Sequence, residues 1–211
     1  MMLKLYPTYI VKGLCKSMKE LDKMIRGELY NPADDELYML RVKAHRLCQD
    51  YNRLHDTDET ARAAILQELL PDYSDEIYFQ GPIFFDYGMN IFIGKNFYAN
   101  FNTTILDVCP VRIGDNVMLG TNVSLLTPTH PLRWQDRNAK PTPDGGVLQL
   151  EAGKPITIGD NCWLAGNVTV LGGVTIGEGS VIGAGSVVTR DVPANVFAAG
   201  VPCRVIKTIE G

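Results

Sequence analysis

The sequence predicts a mainly β protein: a parallel β-helix of hexapeptide repeats preceded by an α-helical region. Three observations carry this. First, aliphatic residues recur every six positions at Ile158, Leu164, Val170, Ile176, Ile182 and Val188, and a small residue follows most of them, at Gly159, Ala165, Gly177 and Gly183. The same beat runs earlier through Ile93, Ala99 and Ile105, then Ile113, Leu119 and Leu125. A fixed period is a fold-level signal, because each repeat buries its apolar side only against its neighbours. Second, the composition switches near Ser74 from Lys, Arg and Glu with few glycines to Ile, Val, Gly, Asn and aromatics. Third, Asp115-Asn116, Thr121-Asn122, Asp160-Asn161 and Gly166-Asn167 stand where such a coil must turn. Asn and Gly tolerate the backbone conformations that turns require.

Taken in order, residues 1–73 form the helical region. A first helix is expected over Ser17 to Arg26, stopping near Gly27. A second carries Leu37, Leu40, Ala44, Leu47 and Tyr51 at helical spacing, started by Asn31-Pro32 or by Asp34. A third covers DETARAAILQELL, capped by Thr57 or Asp58 and ended before Pro71. All three are amphipathic and should pack on the repeats. Residues 74–211 form the β-helix. Six extended residues span roughly 20 Å, enough for one flat face, and stacked coils pair backbone groups at about 4.8 Å. Periodicity alone does not fix the hand of the coil.

Two interruptions break the beat. Two extra residues lie between Ile105 and Ile113, around Asp107-Val108-Cys109-Pro110. A loop inserted at about 127–156 separates Leu125 from Ile158. Long loops inside compact domains are commonly functional or disordered.

The chain has 211 residues, 45% hydrophobic and 21% charged, with a net charge of −4. It has no long basic run and no apolar stretch long enough for a bilayer, so neither nucleic acid nor membrane is expected as a partner. The opening residues lack an h-region and cleavage site, and a cytoplasmic protein is expected. Five scattered cysteines, Cys15, Cys48, Cys109, Cys162 and Cys203, show no metal or disulfide spacing and read as buried thiols.

His130 is the single histidine of the repeat region, placed where a coil opens into the loop. A neutral imidazole there can take a proton from a hydroxyl as its oxygen attacks a carbonyl. With no second His in the repeats, a His-ligated metal site is not expected. Asp86, Asp107 and Glu151 are the carboxylates nearest the breaks. Each could accept hydrogen bonds from a polyol or orient the histidine, although Glu151 taken alone reads as a solvated loop acid. Tyr98 and Asn100 either pack and turn the chain or reach toward a ligand. Trp163 occupies a slot that holds Met118, Ser124, Thr169 or Thr175 in other coils. An indole there is exposed unless a ligand or partner covers it. Thr189, Arg190, Arg204 and Lys207 cluster at the end of the repeats and could hold phosphates. No nucleotide-binding glycine loop is present.

The segments GELYNPADDEL, IFIGKNFYANFN, ILDVCPVRIGDN, THPL, KPITIGDNCWLAGN and VIGAGSVVTRDVPANVFAAGVPCRVIK resemble the hexapeptide-repeat sugar O-acetyltransferases of the maltose and galactoside family, over about Met24 to Ile209. The resemblance implies a left-handed β-helix, a homotrimer with sites between subunits, and acetyl-CoA as co-substrate without a catalytic metal. It implies direct transfer to a hydroxyl of a mono- or disaccharide such as maltose or glucose, with His130 as general base and backbone amides stabilising the oxyanion. Positions matching acceptor contacts are Arg41, Asp86, Tyr98, Asn100 and Asp107. Those matching CoA contacts are Asn100, Trp163, Gly166, Ala184, Thr189, Arg190, Arg204 and Lys207. The chain departs from the pattern at Pro32, where galactoside enzymes carry Asp. It departs again in its longer loop, at Glu151 in place of a Met, at Gly166 in place of a Ser, and at Val108 in place of an acid. The alternatives are a galactoside acetyltransferase, an enzyme acting on a non-sugar acceptor such as an antibiotic, and a β-helix that has lost catalysis.

Overall fold

Residues 18–143 and 145–210 are described by a computed structural model. The expectations for residues 1–17, including that about a leader, Cys15 and a helix start at Ser17, lie outside the described residues.

From Ile77 the chain visits three parallel sheets in rotation. The first sheet stacks Ile77–Phe79, Phe97–Ala99, Met118–Leu119, Trp163–Leu164, Val181–Ile182 and Val196–Ala199, closed by an antiparallel strand, Arg204–Thr208. The second stacks Ile83–Phe85, Thr103–Leu106, Ser124–Leu126, Thr169–Leu171 and Val187–Val188. The third stacks Ile91–Ile93, Val111–Ile113, Ile156–Ile158 and Thr175–Ile176. This is the expected parallel β-helix.

The six-residue beat becomes three inward columns. Ala99, Leu119, Leu164 and Ile182 are in register on the first sheet, between Phe79 and Ala198. Ile105, Leu125, Val170 and Val188 follow Phe85 on the second. Ile93, Ile113, Ile158 and Ile176 line the third. All but Ile93, which is half-buried, lie within one continuous buried core. Such burial stabilises at roughly 25 cal/mol per Å² of apolar surface removed from water.

The corners follow from asparagine. Asn96, Asn102, Asn116, Asn122, Asn161 and Asn167 all have positive φ, a region Asn enters more readily than most side chains. They stack in two ladders. Asn96 Nδ2 donates to Asn116 Oδ1 at 3.1 Å, and Asn116 Nδ2 to Asn161 Oδ1 at 3.2 Å. Asn102 to Asn122 (2.9 Å) and Asn122 to Asn167 (3.0 Å) form the second.

The helical region closes the open end of the stack. Helix α1 is Glu20–Ile25, α2 Asp35–Tyr51 and α3 Glu59–Leu69. Gly27, at φ 74°, ends the first. Asp34, rather than Asn31 or Pro32, caps α2, its side chain accepting from the amides of Glu36 and Leu37. Asp58 stands at the N-terminus of α3 without a side-chain capping bond. Ala44, Cys48, Tyr51, Leu66 and Leu69 join the β-helix core. Unpaired edge groups of the first coil find side-chain partners here, as a sheet edge requires. Asn52 exchanges two hydrogen bonds with the Ile83 backbone, at 2.9 and 2.7 Å. Tyr51 Oη and Arg62 Nη2 both donate to the Phe79 carbonyl, each at 2.6 Å.

The inserted loop leaves and rejoins at one place. Pro128–Thr129 pairs antiparallel with Ala152–Gly153, and farther out Lys140–Pro141 pairs with Val147–Leu148. The repeat resumes at Ile156. Among the described residues no helix is long and apolar enough to cross a membrane.

Candidate active site

Three successive coils are interrupted at the same corner, between the second and third sheets. The first coil passes it through residues 86–90, the second through 107–110, and the third opens into the long loop. The sequence reading found the second and third breaks. It missed the first, although Phe85 to Ile93 also spans eight positions.

Asp107 builds this corner. Its side chain is completely buried, and Oδ1 and Oδ2 accept the amides of Tyr87 (2.8 Å) and Asn90 (3.2 Å). Asn90 Nδ2 returns a bond to the Asp107 carbonyl at 2.7 Å. Burial pushes the carboxyl up to about 6, against the pull of the Tyr87, Gly88 and Asn90 amides. Within this chain Asp107 therefore orders the site from beneath. Its expected role as an acceptor contact stands against this burial, since both carboxylate oxygens already accept backbone amides.

Around that corner, His130, Glu151, Asp86 and Arg41 come together. His130 Nδ1 lies 3.1 Å from the Leu150 carbonyl. A carbonyl only accepts, so Nδ1 carries a hydrogen, and in the neutral imidazole Nε2 then keeps its lone pair. Nε2 faces Glu151 Oε2 at 3.9 Å, with the imidazole 41% and the carboxylate 16% exposed. Glu151 is thus not the solvated loop acid it resembles in isolation. Burial raises its pKa, while the Tyr30 hydrogen bond and the charge on His130 pull it back. Asp86 Oδ1 lies 3.6 Å from His45 Nε2; burial raises its pKa too, and His45 and Arg41 oppose the rise. Arg41 donates to Tyr87 Oη at 3.1 Å and to the Pro32 carbonyl at 3.4 Å. The Tyr87 phenol is pushed up to about 12, chiefly by burial. The result is a half-buried basin with two carboxylates, a guanidinium and one open imidazole nitrogen. Such a set can bind several hydroxyls and deprotonate one of them.

Three contributors escaped the sequence reading. His45 sits one turn after Arg41 on α2, a spacing that puts both on one helix face. Tyr87 adjoins Asp86. Tyr30 lies in the GELY segment, whose resemblance was noted without a role for the tyrosine.

Tyr98 and Asn100 are not part of this basin. Tyr98 belongs to the first sheet, stacked on Tyr78 with ring centroids 5.9 Å apart, and Asn100 Oδ1 accepts the Phe101 amide at the next corner. Trp163 lies on the same outward column, in register with Met118 and Val181. It lines a shallow groove with Val181, Phe197, Lys207 and Ile209. Arg204 stands on the same closing strand as Lys207. Gly166, Ala184, Thr189 and Arg190 lie along the upper coils, the last three exposed. At Gly166 an added Cβ would meet no atom nearer than 3.4 Å, so the position has room for a β-carbon.

Comparison with known proteins identifies the family. The maltose acetyltransferase hexapeptide capping motif matches residues 23–73, and the bacterial transferase hexapeptide matches residues 155–190. Galactoside O-acetyltransferase of Escherichia coli is 40% identical over 193 residues, covering 92% of this chain and 91% of that protein. The crystal structure of a maltose O-acetyltransferase from Clostridium difficile superposes with a TM-score of 0.85 at 42% identity, covering 93% of this chain and all of the other. A galactoside acetyltransferase in complex with coenzyme A gives 0.83 at 40% identity, with 92% of each chain covered. The chain belongs to the hexapeptide-repeat acetyltransferases of the maltose and galactoside O-acetyltransferase family.

Proposed function

We propose that the protein moves an acetyl group from acetyl-CoA to a hydroxyl of a mono- or disaccharide such as maltose or glucose, with His130 as general base. The observation that carries this is the His130 imidazole, whose Nδ1 is committed to the Leu150 carbonyl while Nε2 opens on the basin.

Acetyl-CoA supplies an activated thioester. The residues present suit it: an exposed indole in an apolar groove, with Lys207 beside it and Arg204 on the same strand. Basic side chains hold phosphates, and an indole gives a long apolar chain a surface to lie on. In the acceptor basin, Asp86, Glu151 and Arg41 bind and orient hydroxyls. His130 takes the attacking hydroxyl's proton at Nε2 as the oxygen–carbon bond forms and the carbon–sulfur bond breaks. It then delivers that proton to the released thiolate. Glu151 steadies the imidazolium while the proton is held.

We infer a homotrimer, because one chain leaves Tyr98, Asn100 and Trp163 on a different face from His130. A neighbouring subunit's first sheet set against this corner unites the two halves of the site.

The test is release of free thiol from acetyl-CoA with maltose, glucose, thiogalactosides and an antibiotic panel. Turnover on the simple sugars supports the reading. Turnover confined to thiogalactosides supports the galactoside alternative, and turnover confined to antibiotics overturns the sugar assignment.

A further inference from the structure

Glu151 lies 121 residues beyond Tyr30 in the helical region, yet its position is fixed there. Tyr30 and Glu151 form an isolated antiparallel bridge, with amide–carbonyl bonds of 2.9 Å and 3.1 Å in the two directions. The Tyr30 phenol donates to Glu151 Oε1 at 2.8 Å. Tyr30 itself is 1% exposed, packed in a small cluster with Met24, Leu37, Tyr87, Val108 and Cys109. The seam beside it is tight. A Cβ on Gly27 would come within 2.6 Å of the Gly153 carbonyl oxygen, so only glycine lets α1 approach the loop's returning strand this closely. The Cys109 thiol donates to the Met24 carbonyl at 3.2 Å across the same seam.

We propose that Tyr30 is a positioning residue for the transfer. Its phenol occupies one oxygen of Glu151 and aims the other at His130 Nε2. The helical region then does more than cap the β-helix: it sets the carboxylate that stabilises the protonated base. The geometry favours this over a purely structural tie, because the two backbone bonds and the glycine seam already hold the strands together. The phenol–carboxylate bond adds only orientation of the carboxylate. Burial and the neighbouring Glu151 charge keep the phenol protonated, so it acts as a donor throughout the working pH range. This inference rests on the reading of His130 as general base.

The test is a double-mutant cycle on the intact enzyme with Tyr30→Phe and Glu151→Gln, followed by acetyl transfer to the preferred sugar. Tyr30→Phe keeps the ring and the backbone bridge. A bond to a charged acceptor sets the expected scale, a fall in kcat of about tenfold with KM for acetyl-CoA unchanged. In the Glu151→Gln background the same substitution should add almost nothing. Equal losses in both backgrounds, or a loss that appears in KM for acetyl-CoA and not in kcat, would overturn the positioning role while leaving His130 in place. Full activity of His130→Ala would remove the underlying reading instead.

Discussion

At the scale of single residues, the site is built from carboxylates that folding holds in unfavourable surroundings. Asp107 has a folded pKa of about 6 against an ordinary 3.8. The folded state therefore binds its proton more tightly than the unfolded state does. Its contribution to stability is largest below pH 4 and is lost as pH rises toward 6, with a total of roughly 3 kcal/mol at 1.36 kcal/mol per unit. Asp107→Asn cannot ionise. Urea unfolding of both proteins should show the wild-type advantage over the variant shrinking between pH 4 and pH 6 and levelling above. A difference that grows across that window would contradict the burial argument. This residue also shows a limit of sequence reading. A carboxylate beside a break in a repeat looks like an acceptor ligand, and only the folded amides of Tyr87 and Asn90 reveal that it is consumed internally. His130 was legible because it interrupts a pattern. The Tyr30–Glu151 pair was not, since nothing local in either segment announces a partner across the chain.

At the scale of elements, the coil tolerates side chains only where the next coil leaves room. A Cβ on Gly114 would lie 2.8 Å from the Asp160 amide nitrogen in the coil above, whereas at Gly166 the nearest atom is 3.4 Å away. Gly114→Ala should therefore cost about 1–3 kcal/mol by overpacking. Gly166→Ala should stay within about 0.5 kcal/mol, as surface substitutions usually do. Equal losses in thermal or urea unfolding would show that coil spacing does not set the rule. The elements themselves were the most legible part of the sequence. Each six-residue step maps onto one face, and Asn116, Asn122, Asn161 and Asn167 turn the predicted corners. The break at residues 86–90 escaped because the visible beat starts only at Ile93, after that corner has been passed. The helix start at Asp34 was one of several candidates, and its capping bonds decided among them.

At the scale of the whole molecule, the outward column of the first sheet carries Tyr78, Met118 and Trp163, exposed at 40%, 50% and 46%. A row of large apolar side chains on one flat face calls for cover. The proposed trimer supplies it and brings Tyr98 and Asn100 toward a neighbour's His130. Light scattering at micromolar concentration should give three times the mass of one chain, and Trp163→Glu should weaken acetyl-CoA binding. A monomer with full activity would contradict the shared site. The resemblance implied this arrangement, whereas the contacts within one chain do not display it, since in the proposed trimer these residues meet only between chains.

The most direct test of the account is the rate of acetyl transfer by His130→Ala at saturating acetyl-CoA and sugar. Loss of a general base predicts a fall in kcat of about 10²–10⁴-fold, with the trimer and CoA binding intact. A variant that turns over as fast as the wild type would show that the imidazole at the mouth of the loop does not take the proton.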